Sequence, residues 1–332
     1  MTKLIVNPFT SPSFNLALEE YLLSNFTEGE IIMLWRNEPS VIIGKNQNAY
    51  AEIDGEYVKQ NNITVVRRLT GGGAVFHDLG NINYTLISDY NSDKFGDFSS
   101  FAEPICSFLS QFGVSAVLSG RNDITIDGAK ISGTAQTVKN GRNLAHGTLL
   151  YDADISALSG ALKPNSKKLE DKAVRSVKSR VGNIKDICSL SISAEEFMKT
   201  LAEHLFNCKD CKLYTLSDAD VAAVNRIEEE KYSKWEWNFA FSPDFSLKTE
   251  KKYPFGIVEC HLNVHDGRIS DIRFFGDFFG NQNIDVLENK LKNVKFEKTE
   301  IEKTVEKIAL GEFIRGMTAN ELCELILSVD KT

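Results

Sequence analysis

The stretch Asp123-Ile124-Thr125-Ile126-Asp127-Gly128-Ala129-Lys130-Ile131-Ser132 constrains the fold of this chain more tightly than any other. An Asp-Gly pair flanked by alternating apolar residues is a strong local signal for a two-residue β-hairpin. Such a turn pairs Ile126 with Ala129, Thr125 with Lys130, Ile124 with Ile131 and Asp123 with Ser132. Successive side chains of a strand point to opposite faces. Ile124, Ile126, Ala129 and Ile131 therefore share an apolar face, and Asp123, Thr125, Lys130 and Ser132 share a polar one. The first must rest on a core; the second holds an acid beside a lysine. On an isolated hairpin, an acid–lysine pair is ordinarily a solvated pair and nothing more. A second Asp-Gly hairpin is expected at Asp266-Gly267, between Ile257–Val264 and Ile269–Phe275.

Between and around the hairpins the period changes to that of helices. Phe14, Leu18, Tyr21 and Leu22 predict a helix over Ser13–Leu23, with Pro12 near its start. Phe101, Ile105, Phe108 and Phe112 predict another over Phe101–Phe112. Further helices are expected over 194–206, 217–232, 286–291, 300–309 and 319–327. Short strands are expected at 31–35, 41–43, 64–67, 74–76 and 83–87. Helices mixed with hairpins give an α+β class rather than a regular alternation of strand and helix. With 332 residues, 42% hydrophobic, the chain has material for about two domains. Punctuation by Trp, Lys, Ser and Pro near 233–252 predicts a boundary there, with domains over 1–246 and 247–332.

The net charge of −8 argues against nucleic acid as the main partner. No run reaches the roughly 18 apolar residues of a membrane helix. The apolar stretch at the N-terminus is too short for a signal peptide. Six cysteines scattered over a long chain do not form a secreted disulfide framework. A cytoplasmic protein is the expectation. Cys208-Lys209-Asp210-Cys211 has no partner pair, so a structural zinc site is not expected.

The chemistry concentrates in Arg67-Arg68-Leu69-Thr70-Gly71-Gly72-Gly73-Ala74-Val75-Phe76-His77-Asp78. Glycines let backbone N–H groups approach a ligand, and successive N–H groups cradle anions. Arg68 adds a fixed charge suited to phosphate or carboxylate. A glycine-rich hairpin that merely needs a flexible backbone reads the same way. A Walker loop is excluded, because Gly-Lys-Ser/Thr is missing. His146-Gly147-Thr148 is expected to lead into a strand. Lys163, Lys167, Lys168, Lys172, Arg175, Lys178 and Arg180 make a basic stretch over 163–184 in an acidic chain. It reads either as a solvated loop or as a lid over an anion.

Taken in order, these segments resemble the lipoate–protein ligase A family. The resemblance rests on Trp35-Arg36-Asn37 with Val41 to Gln47, Arg67 to Asn81, Ser119 to Asp123, Lys130-Ile131-Ser132-Gly133, His146 to Leu150 and Ser176 to Val181. It covers the whole chain. It implies a catalytic domain of mixed sheets and helices like that of biotin protein ligases, followed by a small α+β accessory domain. Family members use ATP and Mg²⁺ to make lipoyl-AMP from lipoate. They then pass the lipoyl group to a lysine of lipoyl domains in 2-oxoacid dehydrogenase acyltransferase subunits, or of glycine-cleavage H protein. Carried onto this chain, Arg68, Gly73, Ala74, Val75, Phe76 and Lys130 match ATP-binding positions. Lys130, Gly72, Gly73, His77 and His146 match lipoate-binding positions. Thr70, Asn81 and Asp123 match other pocket positions, Lys178 and Arg180 the adenylate lid, and Asp123 a position for magnesium. Lys130 is the expected catalytic residue and a monomer the expected state. An octanoyl- or lipoyltransferase on the same scaffold is the near alternative. It would need a nucleophilic cysteine, and none lies between Asp123 and Leu150. A non-catalytic lipoate- or carrier-binding protein is the other.

Overall fold

The computed structural model describes residues 2–92, 95–120, 122–162, 181–209, 211–239 and 247–331. It divides into two compact units. The first comprises 1–42, 51–67 and 75–238, the second 43–50, 68–74 and 239–332. Each has its own hydrophobic core.

The strands up to residue 213 are β1 (Thr2–Val6), β2 (Ile31–Arg36), β3 (Ser40–Ile43), β4 (Thr64–Arg67), β5 (Val75–His77), β6 (Asn81–Asp89), β7 (Ala116–Ser119), β8 (Asp123–Ile126), β9 (Ala129–Lys139), β10 (Arg142–Leu150) and β11 (Cys211–Leu213). Eight of them form one sheet in the order β11-β1-β2-β6-β10-β9-β8-β7. β1 runs parallel to β11 and β2; the other neighbours are antiparallel. One face carries Leu34, Ile82, Tyr84, Ile124, Ile126 and Ile131 into the core. Helices Ser99–Ser110 and Ala194–Lys209 cover it with Phe101, Ile105, Phe108, Phe197 and Leu201. Helix Pro12–Asn25 lies on the other face, capped by Ser11, whose hydroxyl accepts from Phe14 N–H. A smaller sheet has the order β4-β3-β5.

The expected hairpin forms. Asp127 and Gly128 both have positive φ (49° and 81°), the backbone of a type I′ turn. Ile126 pairs with Ala129 and Thr125 with Lys130. Beyond that the register departs from expectation: Ile124 pairs with Ser132 and Asp123 with Gly133. Ile131 is the extra residue of a β-bulge. Both Ile131 and Ser132 are thereby buried, and the Ser132 hydroxyl lies 3.3 Å from the Tyr84 hydroxyl. Ser132 thus leaves the polar face predicted for it.

In the second unit, β12 (Leu247–Tyr253), β13 (Gly256–His265), β14 (Arg268–Gly276) and β15 (Asp330–Lys331) form a sheet in the order β14-β13-β12-β15. The Asp266-Gly267 hairpin is again as expected, with positive φ at both residues. Helices Ile284–Leu291, Lys298–Val305 and Ala319–Leu327 pack on this sheet through Leu287, Leu291, Ile301, Leu322 and Ile326. The predicted helix 217–232 is a helix over Asp218–Ile227 that widens into a π-turn at Glu228–Tyr232.

Candidate active site

Lys130 and Asp123 meet across β8 and β9, with Nζ 2.8 Å from Asp123 Oδ1. The Lys130 backbone is held from the other side, since Gly182 N–H donates to its carbonyl at 3.0 Å. Gly133 lies under the lysine: a Cβ added there would come within 3.2 Å of Nζ. Gly133 and Ala135 point to one face, and Ala135 pairs with His146. Lys130 and His146 therefore share a face of the large sheet, opposite the core.

On that face a buried network organises His146. Its Nδ1 lies 2.9 Å from both carboxylate oxygens of Glu19. Glu19 also accepts from the Thr85 hydroxyl at 2.6 Å, and Thr85 accepts from Trp35 Nε1–H at 2.9 Å. Trp35 meets the His77 ring edge to face at 6.1 Å. His77 Nδ1 is 3.1 Å from Asn37 Nδ2. Gly147, next to His146, has no room for a Cβ because the Tyr84 ring would be 2.8 Å away. Asn81 is buried at the start of β6, where its amide donates to Asn83 Oδ1 at 3.0 Å. Among the described residues Asn81 Oδ1 and Asn83 Nδ2 have no hydrogen-bond partner. Buried groups of this kind are costly unless something pairs with them.

The glycine segment belongs to the second unit from Arg68 to Ala74. Arg68 is buried and holds the loop closed. Its Nε donates to Thr70 Oγ1 at 2.8 Å, and one Nη donates to the carbonyls of Gly71 (2.7 Å) and Gly73 (2.8 Å). Arg68 thus clamps its own loop, a role the sequence did not reveal. Gly71 is glycine because a Cβ would lie 2.3 Å from the Phe278 carbonyl oxygen, and Gly72 because its φ is +91°. Neither reason applies to Gly73, where an added Cβ would meet nothing within 4 Å. Ala74 closes the segment. Val75, Phe76 and His77, on β5, belong to the first unit, with Phe76 and His77 buried. Lys178 and Arg180 lie outside the described residues, as does most of the expected lid and the predicted boundary at residue 246.

Comparison with known proteins identifies the family of the chain. The family model "Lipoyl protein ligase A/B catalytic domain" matches residues 11–206, and "Bacterial lipoate protein ligase C-terminus" matches residues 242–326. The chain belongs to the lipoate–protein ligase family. It is 42% identical to lipoate-protein ligase LplJ of Bacillus subtilis over 319 residues, covering 95% of this chain and 96% of that protein. It is 37% identical to lipoate–protein ligase 1 of Staphylococcus aureus, covering 96% and 98%. Among solved structures, LipL1 of P. falciparum in complex with lipoate superposes with a TM-score of 0.81 at 27% identity, covering 98% of this chain and 99% of that one. A lipoate-protein ligase A bound with ATP gives 0.62 at 27% identity, covering 71% and 98%. A bipartite lipoate protein ligase of Thermoplasma acidophilum, described with its E2 lipoyl domain, gives 0.64 at 30% identity, covering 73% and 97%. The chain is accordingly an enzyme of the ligase class, with the α+β fold of that family.

Within this lipoate–protein ligase, motif reading passed over Glu19 and Thr85, and it quoted Trp35 and Asn37 without giving either a place in the site. Glu19 carried a usable signal. It is a carboxylate within the helix 12–25, one turn after Asn15, and both are buried. An acid in such a place is rare unless paired.

Proposed function

We propose that this enzyme activates free lipoate with ATP to lipoyl-AMP, releasing pyrophosphate, and transfers the lipoyl group to a lysine side chain. The acceptors are lipoyl domains of 2-oxoacid dehydrogenase acyltransferase subunits, glycine-cleavage H protein, or both. The observation that carries this reading is Lys130, a half-exposed cation fixed by Asp123 on a sheet face shared with His146. In the first step a lipoate carboxylate oxygen attacks the α-phosphorus. The bond from that phosphorus to the bridging oxygen breaks, and pyrophosphate leaves. Two anions must meet, and a positioned ammonium lowers the barrier by stabilising the charge that gathers between them. In the second step the acceptor amine attacks the acyl carbon and AMP departs.

In this proposal Arg68, Gly73, Ala74, Val75 and Phe76 serve ATP together with Lys130. Gly72, Gly73, His77 and His146 serve lipoate, and Thr70, Asn81 and Asp123 complete the pocket. The open space beside Gly73 supports close approach of a ligand to the backbone there. Mg²⁺ is bound mainly by substrate phosphates with one or two carboxylates, so a single acid such as Asp123 fits its needs. When bound it would neutralise the triphosphate. Residues 1–246 would hold both chemical steps, and residues 247–332 would form an accessory domain. We place the protein in the cytoplasm as a monomer. All six cysteines are free, and no helix among the described residues is long and apolar enough to cross a membrane.

The transferase alternative has no support from thiol chemistry. Burial pushes the thiols of Cys106 and Cys188 upward, whereas a nucleophilic cysteine needs a lowered pKa. Pyrophosphate release from lipoate, ATP and Mg²⁺ tests the proposal. It is expected with the native chain and lost in Lys130→Ala; unchanged release in that variant would overturn the assignment.

A further inference from the structure

We infer that a chain of buried asparagines locks His77 with its proton on Nε2, and that Asn15 and Asn37 are positioning residues for it. The derivation starts from backbone atoms, whose hydrogen-bonding sense is fixed. The carbonyls of Phe9 and Arg36 can only accept, and both lie 3.0 Å from the same side-chain atom of Asn15. That atom must be the amide nitrogen, so Asn15 cannot be flipped. The same nitrogen, whose two hydrogens are shared among three acceptors, lies 2.8 Å from an atom of Asn37. Two amide nitrogens, neither of which accepts, would not face each other so closely, so that atom is the oxygen, Oδ1. Asn7 agrees from the other end. Its Oδ1 accepts from Phe9 N–H at 3.3 Å, leaving Nδ2 to donate to Asn15 Oδ1 at 2.7 Å. With Asn37 Oδ1 turned to Asn15, Asn37 Nδ2 is turned to His77 Nδ1, 3.1 Å away. An amide nitrogen donates, so Nδ1 must be the bare, accepting nitrogen of the imidazole. The ring proton sits on Nε2.

All four side chains are buried, so reversing the chain would oblige Asn15 to turn its oxygen toward two carbonyl oxygens. That loss exceeds what a single hydrogen-bond rearrangement recovers. His146 is held in the opposite sense. Its Nδ1 faces the Glu19 carboxylate, which only accepts when ionised, so Nδ1 carries a proton there. Two histidines linked through Trp35 thus differ in polarity. His77 offers an N–H donor at Nε2, and His146 commits its donor to Glu19. Resting on the proposed function, the Nε2 donor of His77 is assigned to an anionic oxygen of the bound acid or of its adenylate. The tautomer itself does not depend on that reading.

The test uses the full chain with isotopically labelled histidine rings and long-range proton–nitrogen correlation spectra at neutral pH, without substrates. The chain has only five histidines, and His77→Gln identifies the His77 signals. His77 is expected with a protonated Nε2 and a bare Nδ1, and His146 with a protonated Nδ1. A protonated Nδ1 on His77 would overturn the inference. Asn37→Asp keeps the size of the side chain but replaces the donor by an acceptor. It is expected to place a proton on His77 Nδ1 and to raise KM for lipoate about tenfold, the scale of one misdirected buried hydrogen bond. The KM for ATP should move far less. A variant whose His77 proton shifts while KM for lipoate stays at the native value would remove the positioning role. Absence of pyrophosphate release by the native chain would defeat the proposed function and leave the tautomer standing on the spectra.

Discussion

The large sheet carries two acid–base pairs on one face, and they differ in burial rather than geometry. Lys130 and Asp123 meet at 2.8 Å with side chains 40% and 35% exposed. His146 and Glu19 meet at 2.9 Å with side chains 11% and 3% exposed. An ion pair as open as the first contributes about 0–1 kcal/mol to stability, so its members are available for a ligand. The second pair is enclosed with the Thr85 hydroxyl and the Trp35 indole. Removing one partner there strands the others. The open pair is suited to chemistry and the closed pair to holding a ring in place. Sequence spacing brings the first pair together and leaves the second, 127 positions apart, unseen.

The sharpest way to break this comparison is Lys130→Ala. Pyrophosphate release should fall about a thousandfold, in line with losing a preorganised charge, while denaturant unfolding shifts by less than about 1 kcal/mol. A large stability loss would mean that the open pair is structural after all. Glu19→Ala should do the reverse, lowering unfolding free energy by about 3 kcal/mol because buried donors lose their acceptor.

Glu288 extends the contrast to the second unit. It is buried, accepts from Phe274 N–H and pairs with Arg273 at 2.8 Å. Burial nevertheless dominates and raises its pKa from 4.5 to about 7. A raised carboxyl holds its proton more tightly when folded. Its contribution to stability is thus fully present below about pH 4.5 and is lost as pH rises through about 7. The stability of the native chain should fall by about 3 kcal/mol across that window from this group. Glu288→Gln should flatten the slope; an unchanged pH profile would argue that Arg273 keeps the acid ionised. The smallest effect is expected at Gly133→Ala. The new methyl would press on Nζ of Lys130 and should slow pyrophosphate release about tenfold, equivalent to about 1.4 kcal/mol.

Local signals were legible where the chain decides locally. Both Asp-Gly turns, the helix at 319–327 and the pairing of Asp123 with Lys130 follow from spacing alone. The bulge at Ile131 did not, because it is set by the room for Ile131 and Ser132 beneath the sheet. β12 is rich in charge, with Lys248, Glu250, Lys251 and Lys252, and is a strand only because β13 and β15 flank it. β1 likewise depends on distant partners, β2 and β11. The motif residues of the glycine segment were evident, but the clamp by Arg68 was not, since guanidinium geometry leaves no trace in spacing. The asparagines behind His77 are separated by 22 positions between Asn15 and Asn37 and by 40 between Asn37 and His77. Only the fold brings them into line.

The central claim is most directly tested by the mass of an unmodified lipoyl domain after incubation with the purified chain, ATP, Mg²⁺ and lipoate. The account predicts a gain of one lipoyl group that disappears when ATP is omitted or when Lys130 is replaced by alanine. An acceptor of unchanged mass with the native chain, together with no release of pyrophosphate, would contradict it.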